Sequence, residues 1–184
     1  MPQDVRPDKR SGDDPWIRAA VSRYEGPLTL YAARILGDAE RARDAVQEAF
    51  LRLCRQSRSQ VEGHLAEWLY MVCRNCALDM QRKSSRAMQL VEDELTEPSR
   101  EPGPDEVAQT REGASDALRL MATLSENQQE VLRLKFQHGL SYKQIVAVTG
   151  LSMSNVGFLI HVGLKKLRVW MTQTPQEVDD GEKR

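Results

Sequence analysis

Apolar residues recur every three or four positions over much of the chain, which is the spacing of one buried helical face. The first stripe begins at Trp16 and continues through Ile17, Ala20, Val21, Tyr24, Leu28, Tyr31 and Ile35. Gly26-Pro27 interrupts this stripe. Because proline lacks an N–H and clashes with the preceding turn, we expect a kink or a break there. Gly37 is suited to end the helix, and Asp38 is suited to cap the next one.

Two more helices are predicted in the N-terminal half, over about 39–55 and 65–86. The apolar stripe of the first consists of Ala42, Ala45, Val46, Ala49, Phe50 and Leu53. The stripe of the second consists of Leu65, Trp68, Leu69, Val72 and Cys76. Between the two helices, residues 57–64 (SRSQVEGH) are predicted to form a loop.

Prolines, glycines and acidic residues dominate 89–113, which predicts a flexible linker rather than a core element. A second helical unit follows, with helices predicted over about 115–123 and 126–137, the latter capped by Ser125. Runs of β-branched and aromatic residues are scarce. The chain is therefore predicted to be all-α. Two small helical domains, over 15–88 and 114–172, are joined by an acidic linker over 89–113.

Charge is distributed unevenly, although the formal net charge of the whole chain is −1. Between Val91 and Glu112, eight acidic residues face only two arginines, which makes this stretch −6 and leaves +5 for the remainder. The overall charge does not indicate a nucleic-acid-binding protein. It conceals, however, two basic portions separated by an acidic segment.

Several functional classes have little support in the sequence. No apolar run approaches the ~20 residues of a membrane span, and the N-terminus lacks the apolar core of a signal peptide. We therefore expect a cytoplasmic protein without membrane insertion. Three cysteines do not suggest a disulfide framework in 184 residues. Because no nucleophile–base grouping or phosphate-binding glycine loop stands out, we predict no enzyme and no cofactor.

A CxxC pair, Cys73 and Cys76, has His64 nearby in sequence, which raises redox or zinc sensing as a different class of function. Both cysteines lie at or beside the buried stripe of a helix, where small apolar side chains fit. Zinc needs four ligands, and only three plausible ones are present. We therefore expect the cysteines to serve packing and predict no metal site.

The segment 141–167 has the pattern of a helix-turn-helix. Ser141 is placed to cap a short first helix, whose inward residues are predicted to be Ile145 and Val148. Gly150 stands at the turn, where a positive φ is needed. The second helix of such a motif enters the major groove of DNA.

The second helix of this motif can be capped by Ser152 or by Ser154. Its predicted inward residues are Val156, Leu159, Ile160, Leu164 and Leu167. Its predicted outward residues are Ser154, Asn155, Phe158, His161 and Lys165. The outward set defines a candidate DNA-reading face.

The chemistry of the outward residues suits DNA. Asn155 can pair with adenine, and Phe158 can contact a thymine methyl group. Lys165 and Lys166 suit phosphates. The alternative is a plain helical hairpin whose outward residues meet only water, or one in which Phe158 packs on another helix or a protein partner.

Three blocks of sequence together resemble the sigma factors of bacterial RNA polymerase, specifically the small extracytoplasmic-function group of the sigma-70 family. Residues 42–53, ARDAVQEAFLRL, are similar to the family's polymerase-binding helix in region 2. Residues 65–83, LAEWLYMVCRNCALDMQRK, are similar to its helix that reads the −10 promoter element. Residues 124–136, LSENQQEVLRLKF, are similar to the opening of region 4.

The resemblance implies a transcription initiation factor that recruits RNA polymerase core to promoters. The core-binding residues that it implies are Arg43, Asp44, Gln47 and Glu48. The implied −10 contacts are Arg74, Asn75, Asp79, Arg82, Lys83 and Arg86. The implied −35 contacts are Tyr142, Lys143, Ser154, Asn155, Phe158, His161, Lys165 and Lys166. Residues 57–64 correspond to the segment where the family traps a flipped base.

The implied partners are promoter DNA and the clamp and flap regions of the polymerase core, with an anti-sigma factor or another regulator as a further candidate. An alternative is a stand-alone helix-turn-helix regulator that acts without core polymerase and binds duplex DNA by itself. For the −10 set, the alternative is ordinary helix-surface charge, including an Asp79–Arg82 pair at the i,i+3 spacing.

The sequence departs from the family at three places. Arg43 stands where an acidic residue is common, which weakens a negative patch. Residues 157–163, GFLIHVG, carry no cation across the middle of the recognition helix, so we expect weaker phosphate binding and an unusual promoter preference. Val146 replaces the usual alanine, a change that small shifts at the helix crossing can accommodate.

Overall fold

The computed structural model describes residues 14–94, 121 and 123–173, and the chain divides into two compact units. The N-terminal unit contains α1 (Pro15–Leu36), α2 (Ala39–Leu53), α3 (Arg58–Val61), a 3₁₀ turn (Glu62–His64) and α4 (Leu65–Glu94). Helices α1, α2 and α4 each pack against the other two, so that they enclose one core. The described residues contain helices and no strand, which confirms the predicted all-α class.

The core-facing side of α2 is built mainly of alanine. Ala42, Ala45 and Ala49 are fully buried, and Val46 and Leu53 are buried beside them. These residues form the stripe predicted for this helix, except that Phe50, predicted as part of it, is only half-buried. Because alanine adds only a methyl group, α2 can approach its two neighbours closely, and a larger side chain at these positions would overpack the core.

The start of α2 follows the predicted capping pattern. The Asp38 carboxylate accepts hydrogen bonds from the backbone N–H groups of Glu40, at 2.7 Å, and Arg41, at 3.0 Å. Gly37 ends α1 with a φ of +69°, a conformation that residues with a Cβ rarely adopt. Both predicted roles are confirmed.

Helix α1 runs without interruption through Gly26-Pro27, so the predicted break is wrong. Pro27 removes one helix hydrogen bond, but the residues that follow it are anchored in the core. Leu28 is fully buried, and the ring of Tyr31 packs edge-on against Tyr70 with the centroids 5.3 Å apart. Packing against two other helices therefore outweighs the local preference of proline.

The sequence predicted a loop over 57–64. The structure instead has a short helix followed by a 3₁₀ turn there. The Ser57 N–H and hydroxyl both donate to the side-chain oxygen of Gln60, at 3.2 and 2.8 Å. Val61 is buried, with 2% of its surface exposed. The Ser-x-x-Gln spacing is a signature of a capping box, and it is the local signal that our loop prediction missed.

Helix α4 ends at Glu94, eight residues beyond the predicted end at Arg86. The first proline or glycine after Arg86 is Pro98, so nothing in the intervening sequence terminates a helix. Residues 89–94, assigned by the prediction to the linker, therefore belong to α4. The remaining predicted linker, 95–113, lies outside the described residues.

The C-terminal unit contains α5 (Glu126–Leu132), a π-helical turn (Arg133–Gln137), α6 (Tyr142–Thr149) and α7 (Met153–Gln173). Ser125 caps α5 as predicted, accepting from the Gln128 N–H at 3.4 Å. The predicted extent of 126–137 is confirmed, but its last turn is wider than an α-turn, since the His138 N–H donates to the Arg133 carbonyl. Most of the helix predicted over 115–123 lies outside the described residues.

The core of the C-terminal unit is centred on the contact between α5 and α7. Its buried apolar residues are Leu124, Val131, Leu132, Leu134, Leu140, Ile145, Val156 and Ile160. Val148, on the last turn of α6, is also buried, so Ile145 and Val148 are both buried as predicted. Gly150 has a φ of +74° at the turn between α6 and α7, which confirms its predicted role.

One predicted core residue of α7, Leu164, is instead 38% exposed. Its neighbour Gly163 is buried at the contact with α5. A Cβ added to Gly163 would lie 2.9 Å from Leu132 Cδ1. The absent side chain therefore allows α5 to approach α7 at this point. A hydrophobic pattern cannot detect a core position that is occupied by glycine.

No single helix within the described ranges is long and apolar enough to cross a membrane. Helices α6 and α7 reach such a composition only when they are taken together, across a bend of 107°.

The two glycines of α7 give a matched stability test. At Gly157 the nearest atom to an added Cβ is Tyr142 Cε2, at 3.8 Å, so Gly157→Ala should stabilise by up to about 1 kcal/mol through helix propensity. Gly163→Ala must displace Leu132, and overpacking of this kind costs about 1–3 kcal/mol. In urea unfolding followed by circular dichroism, we expect a raised midpoint for Gly157→Ala and an unchanged or lowered midpoint for Gly163→Ala. Equal rises in both variants would contradict the packing described here.

Candidate functional surfaces

The outer side of α2 carries the four residues predicted to bind polymerase. Arg43, Asp44 and Gln47 are exposed, and Glu48 is half-buried. Their spacing places them on one side of the helix, opposite the buried alanines. Glu48 also pairs with Arg52 on the next turn, at 2.9 Å. The structure thus brings all four together on one polar surface.

The outer side of α4 carries the residues predicted to contact the −10 element. Those that share one exposed face are Asn75, Asp79, Arg82, Lys83 and Arg86. Arg74 is half-buried and lies towards the edge of this face. Asp79 and Arg82 form the i,i+3 ion pair that the sequence allowed, at 3.1 Å. With Asp79 counted against the three cations Arg82, Lys83 and Arg86, the net charge of the face is still positive.

Two long-range hydrogen bonds hold the middle of α4 in place. The Arg41 guanidinium on α2 donates to the backbone carbonyl of Met80 at 2.9 Å. The Gln81 side-chain amide donates to the backbone carbonyl of Ile35, at the end of α1, at 3.3 Å. These bonds connect residues far apart in sequence, so no local pattern predicts them. They orient the basic face of α4 relative to α1 and α2.

Helix α7 presents the predicted reading face to solvent. Its exposed side chains are Ser154, Asn155, Phe158, His161, Lys165 and Lys166. The Ser152 hydroxyl accepts the Asn155 N–H at 3.2 Å, so Ser152 is the capping residue and Ser154 is left on the outward side. Phe158 is 62% exposed, as is Phe136 in the π-helical turn.

A second aromatic residue extends this face. Tyr142, on the first turn of α6, is 38% exposed and lies against α7 at Gly157. The ammonium of Lys135 is placed over the Tyr142 ring, 5.5 Å from its centroid, in a cation–π contact. Lys143, the other predicted contact on α6, is exposed next to Tyr142. Sequence reasoning missed Lys135, because it reaches this surface from the π-helical turn before α6.

The two cysteines of the CxxC pair lie in the packing interior. All three cysteines are free, Cys73 and Cys76 are buried, and Cys54 is half-buried. Burial raises the pKa of the Cys73 thiol to about 12 and also raises the pKa of the Cys76 thiol. Within the described parts of the chain, no three histidine, cysteine, aspartate or glutamate side chains are grouped so as to hold a metal ion.

The two helical units, one with a basic helix face and the other with a helix-turn-helix, define a class of DNA-binding transcription protein. Residues 20–87 match the family described as Sigma-70 region 2, and residues 115–167 match Sigma-70, region 4. The chain therefore belongs to the extracytoplasmic-function (ECF) RNA polymerase sigma factors of the sigma-70 family. The alternative of a stand-alone regulator is not favoured.

Individual relatives agree with this membership. The chain is 32% identical over 165 residues to the ECF RNA polymerase sigma factor SigL of Mycobacterium tuberculosis, covering 85% of this chain and 89% of SigL. It is 28% identical over 159 residues to the ECF RNA polymerase sigma factor SigE of Mycolicibacterium smegmatis and spans 62% of that protein's length.

A solved structure shares the fold. It is the sigma factor RpoE from Bartonella quintana in complex with the anti-sigma factor NepR. The TM-score is 0.61 at 18% sequence identity, and the match covers 86% of this chain and 98% of the other.

The burial of the CxxC pair predicts slow thiol chemistry. At pH 8, a soluble aromatic disulfide reagent should modify Cys54 rapidly and Cys73 and Cys76 only slowly, because the thiolate is the reactive species and must also be accessible. Cys54→Ser should abolish the fast phase, and urea should release the two slow thiols. If Cys73 or Cys76 reacts rapidly in the native chain, the packing role assigned to these cysteines is wrong.

Proposed function

We propose that this sigma factor binds the polymerase core through α2 and contacts promoter DNA at two places, through α4 at the −10 element and through α7 at the −35 element. The observation that carries the proposal is the solvent exposure of three separate helix faces whose residues occupy the positions the family uses. On this proposal, residues 15–88 act as region 2 and residues 114–172 as region 4, with 89–113 between them.

The core-binding surface consists of Asp44, Gln47 and Glu48 with Arg43 at its edge. We infer that the clamp of the polymerase core is its partner, since carboxylates and an amide suit basic and polar groups on a protein. Arg43 lowers the negative charge of the surface relative to the common family pattern. The flap region is the corresponding proposed partner of the C-terminal unit.

The −10 surface suits a single strand or an opening duplex. Arg82, Lys83 and Arg86 provide cations for phosphates, and Asn75 provides an amide that can hydrogen-bond to a base edge. The neighbouring segment 57–64 is the proposed site for a flipped base. Flipping costs a few kcal/mol per base, which stacking and pocket contacts offset.

The −35 surface combines an apolar reading face with peripheral cations. We infer that Phe158 contacts thymine methyl groups and Asn155 an adenine edge, both in the major groove. Lys165 and Lys166 lie further along α7, and Lys143 lies on α6, where phosphates of the flanking backbone would be in reach. Binding at two linked sites raises the overall affinity through effective concentration.

Regulation and cellular context follow as part of the same proposal. The Bartonella quintana relative is bound to an anti-sigma factor, and we propose that a protein regulator of this kind also binds this chain. We infer no catalytic activity of its own, since RNA synthesis belongs to the polymerase. The proposed location is the cytoplasm, where the polymerase meets DNA.

The proposal is tested by run-off transcription with purified core polymerase on a library of promoter fragments. We expect promoter-specific transcripts only when both proteins are present. Replacing Arg82 and Lys83 together by alanine should lower run-off at least tenfold while core binding is retained, because two phosphate contacts are lost. The control replaces Arg23 and Arg34, two exposed arginines on α1, and should retain activity. Equal losses in both double variants would argue against a −10 role for α4.

The −35 proposal assigns phosphate contacts and base contacts to different residues, so variants can test the two kinds of contact separately. In holoenzyme binding to promoter duplex, Lys165→Gln and Lys166→Gln should each reduce the slope of log affinity against log salt by about 0.9, because each removes one phosphate contact. Phe158→Ala should leave the slope unchanged and relax the preference for one base pair in the −35 element. A loss of affinity that is the same for all −35 sequences would instead place Phe158 in a contact with protein.

A further inference from the structure

A large apolar side chain lies exposed within the proposed polymerase-binding surface. Leu51, on α2, is 51% exposed. It follows Asp44 by seven residues, Gln47 by four and Glu48 by three, and these spacings stack side chains on one helix face. Leu51 therefore projects from the same helix face as these three polar residues, at the C-terminal end of the surface.

The exposure of Leu51 is not explained by packing within its own unit. The core side of α2 is occupied by Ala45, Ala49 and Leu53, which have no exposed surface. Single exposed leucines are common on protein surfaces, so exposure alone carries no argument. Among the described side chains of the N-terminal unit, one other large apolar residue is exposed to solvent. It is Leu30 on α1, with 42% of its surface exposed. Of the two, only Leu51 lies next to a proposed binding surface.

We propose that Leu51 is the apolar anchor of the polymerase-binding surface, with Asp44, Gln47 and Glu48 forming the polar part of that surface on its N-terminal side. This inference rests on the proposed function of α2. Protein interfaces combine apolar anchors with polar groups, and a few residues carry most of the binding energy. The partner surface on the core polymerase is therefore expected to be an apolar pocket flanked by basic or amide groups.

The face around Leu51 carries little net charge, which favours a protein partner over DNA. Arg43 and Arg52 offset the carboxylates of Asp44 and Glu48, so the face lacks the excess of cations that holds phosphates. Glu48 is paired with Arg52, at 2.9 Å, which leaves Asp44 as the exposed carboxylate without an ion pair among the described contacts. A polymerase surface that covers Leu51 would remove apolar area from water and meet this carboxylate at the edge.

The test compares Leu51→Ala with Leu30→Ala in the full-length chain. Fluorescently labelled protein is titrated with core polymerase. Covering a half-exposed leucine contributes binding free energy, because apolar surface is removed from water. Leu51→Ala should therefore weaken binding about five- to tenfold. Leu30→Ala should bind within about twofold of the wild type, since it removes the same side chain at similar exposure outside the proposed surface. Leu51→Met, which keeps an apolar side chain of similar volume, should restore most of the affinity.

The folding of each variant is checked in the same samples. Alanine has a higher helix propensity than leucine, so α2 is not weakened by the exchange, and circular dichroism and the unfolding midpoint should match the wild type. If Leu51→Ala binds like the wild type, or if Leu30→Ala loses as much affinity, the anchor role is overturned. If the wild-type chain itself fails to bind core polymerase, the proposed function of α2 fails first and the anchor role fails with it.

Discussion

The close approach of α2 to α1 and α4 is the constraint on which the N-terminal unit depends. The approach is possible because Ala42, Ala45 and Ala49 place only methyl groups at the contact, and all three are fully buried. The proposed polymerase-binding face lies on the opposite side of the same helix. The distance between that face and the basic face of α4 is therefore set by the smallest side chains in the core. A bulkier residue at any of the three alanines would cost stability and also displace one surface relative to the other.

Polar contacts complete the positioning that the alanines begin. Arg41 lies on the same helix as Arg43, but its guanidinium donates to the Met80 carbonyl, so its charge serves the packing of α4 rather than the outer face. Gln81 makes the equivalent contact to the end of α1. Both bonds attach α4 just beyond its fully buried residues, Leu69, Cys73 and Ala77. They hold the part of the helix from which Arg82 and Lys83 project.

Features of the fold that depend on neighbours in sequence could be predicted. The caps at Asp38 and Ser125 and the turn at Gly150 each require only a residue type and a nearby helix start or end. Features that depend on tertiary packing could not. The local preference of Pro27 was overruled by the burial of Leu28, and Gly163 occupies a core position that has no side chain to register in a hydrophobic pattern.

The candidate surfaces also combine features that local sequence predicts with features that depend on tertiary packing. Helical spacing predicted the outward residues of α7, because the period of a helix determines that directly. The candidate residues of α2 and α4 were implied by the family resemblance. Helical spacing did not predict the position of Lys135 over Tyr142, which depends on a π-helical turn. It also did not single out Leu51, which belongs neither to the predicted apolar stripe of α2 nor to the residues expected to bind the polymerase.

The apolar middle of α7 takes on a different meaning once packing is considered. The seven residues 157–163 contain no cation, which suggested a broad departure from the family. Gly163 and Ile160 are buried, and the remaining residues are at least half-buried except for Phe158 and His161. Only these two positions were available for cations, so the departure concerns two outward side chains rather than seven. Lys135, placed over Tyr142 beside Gly157, supplies a cation next to this gap from outside the helix. The apolar character of the reading face and the close packing of α7 therefore have separate causes. Of the seven residues 157–163, only Phe158 and His161 bear on the proposed base preference of the helix.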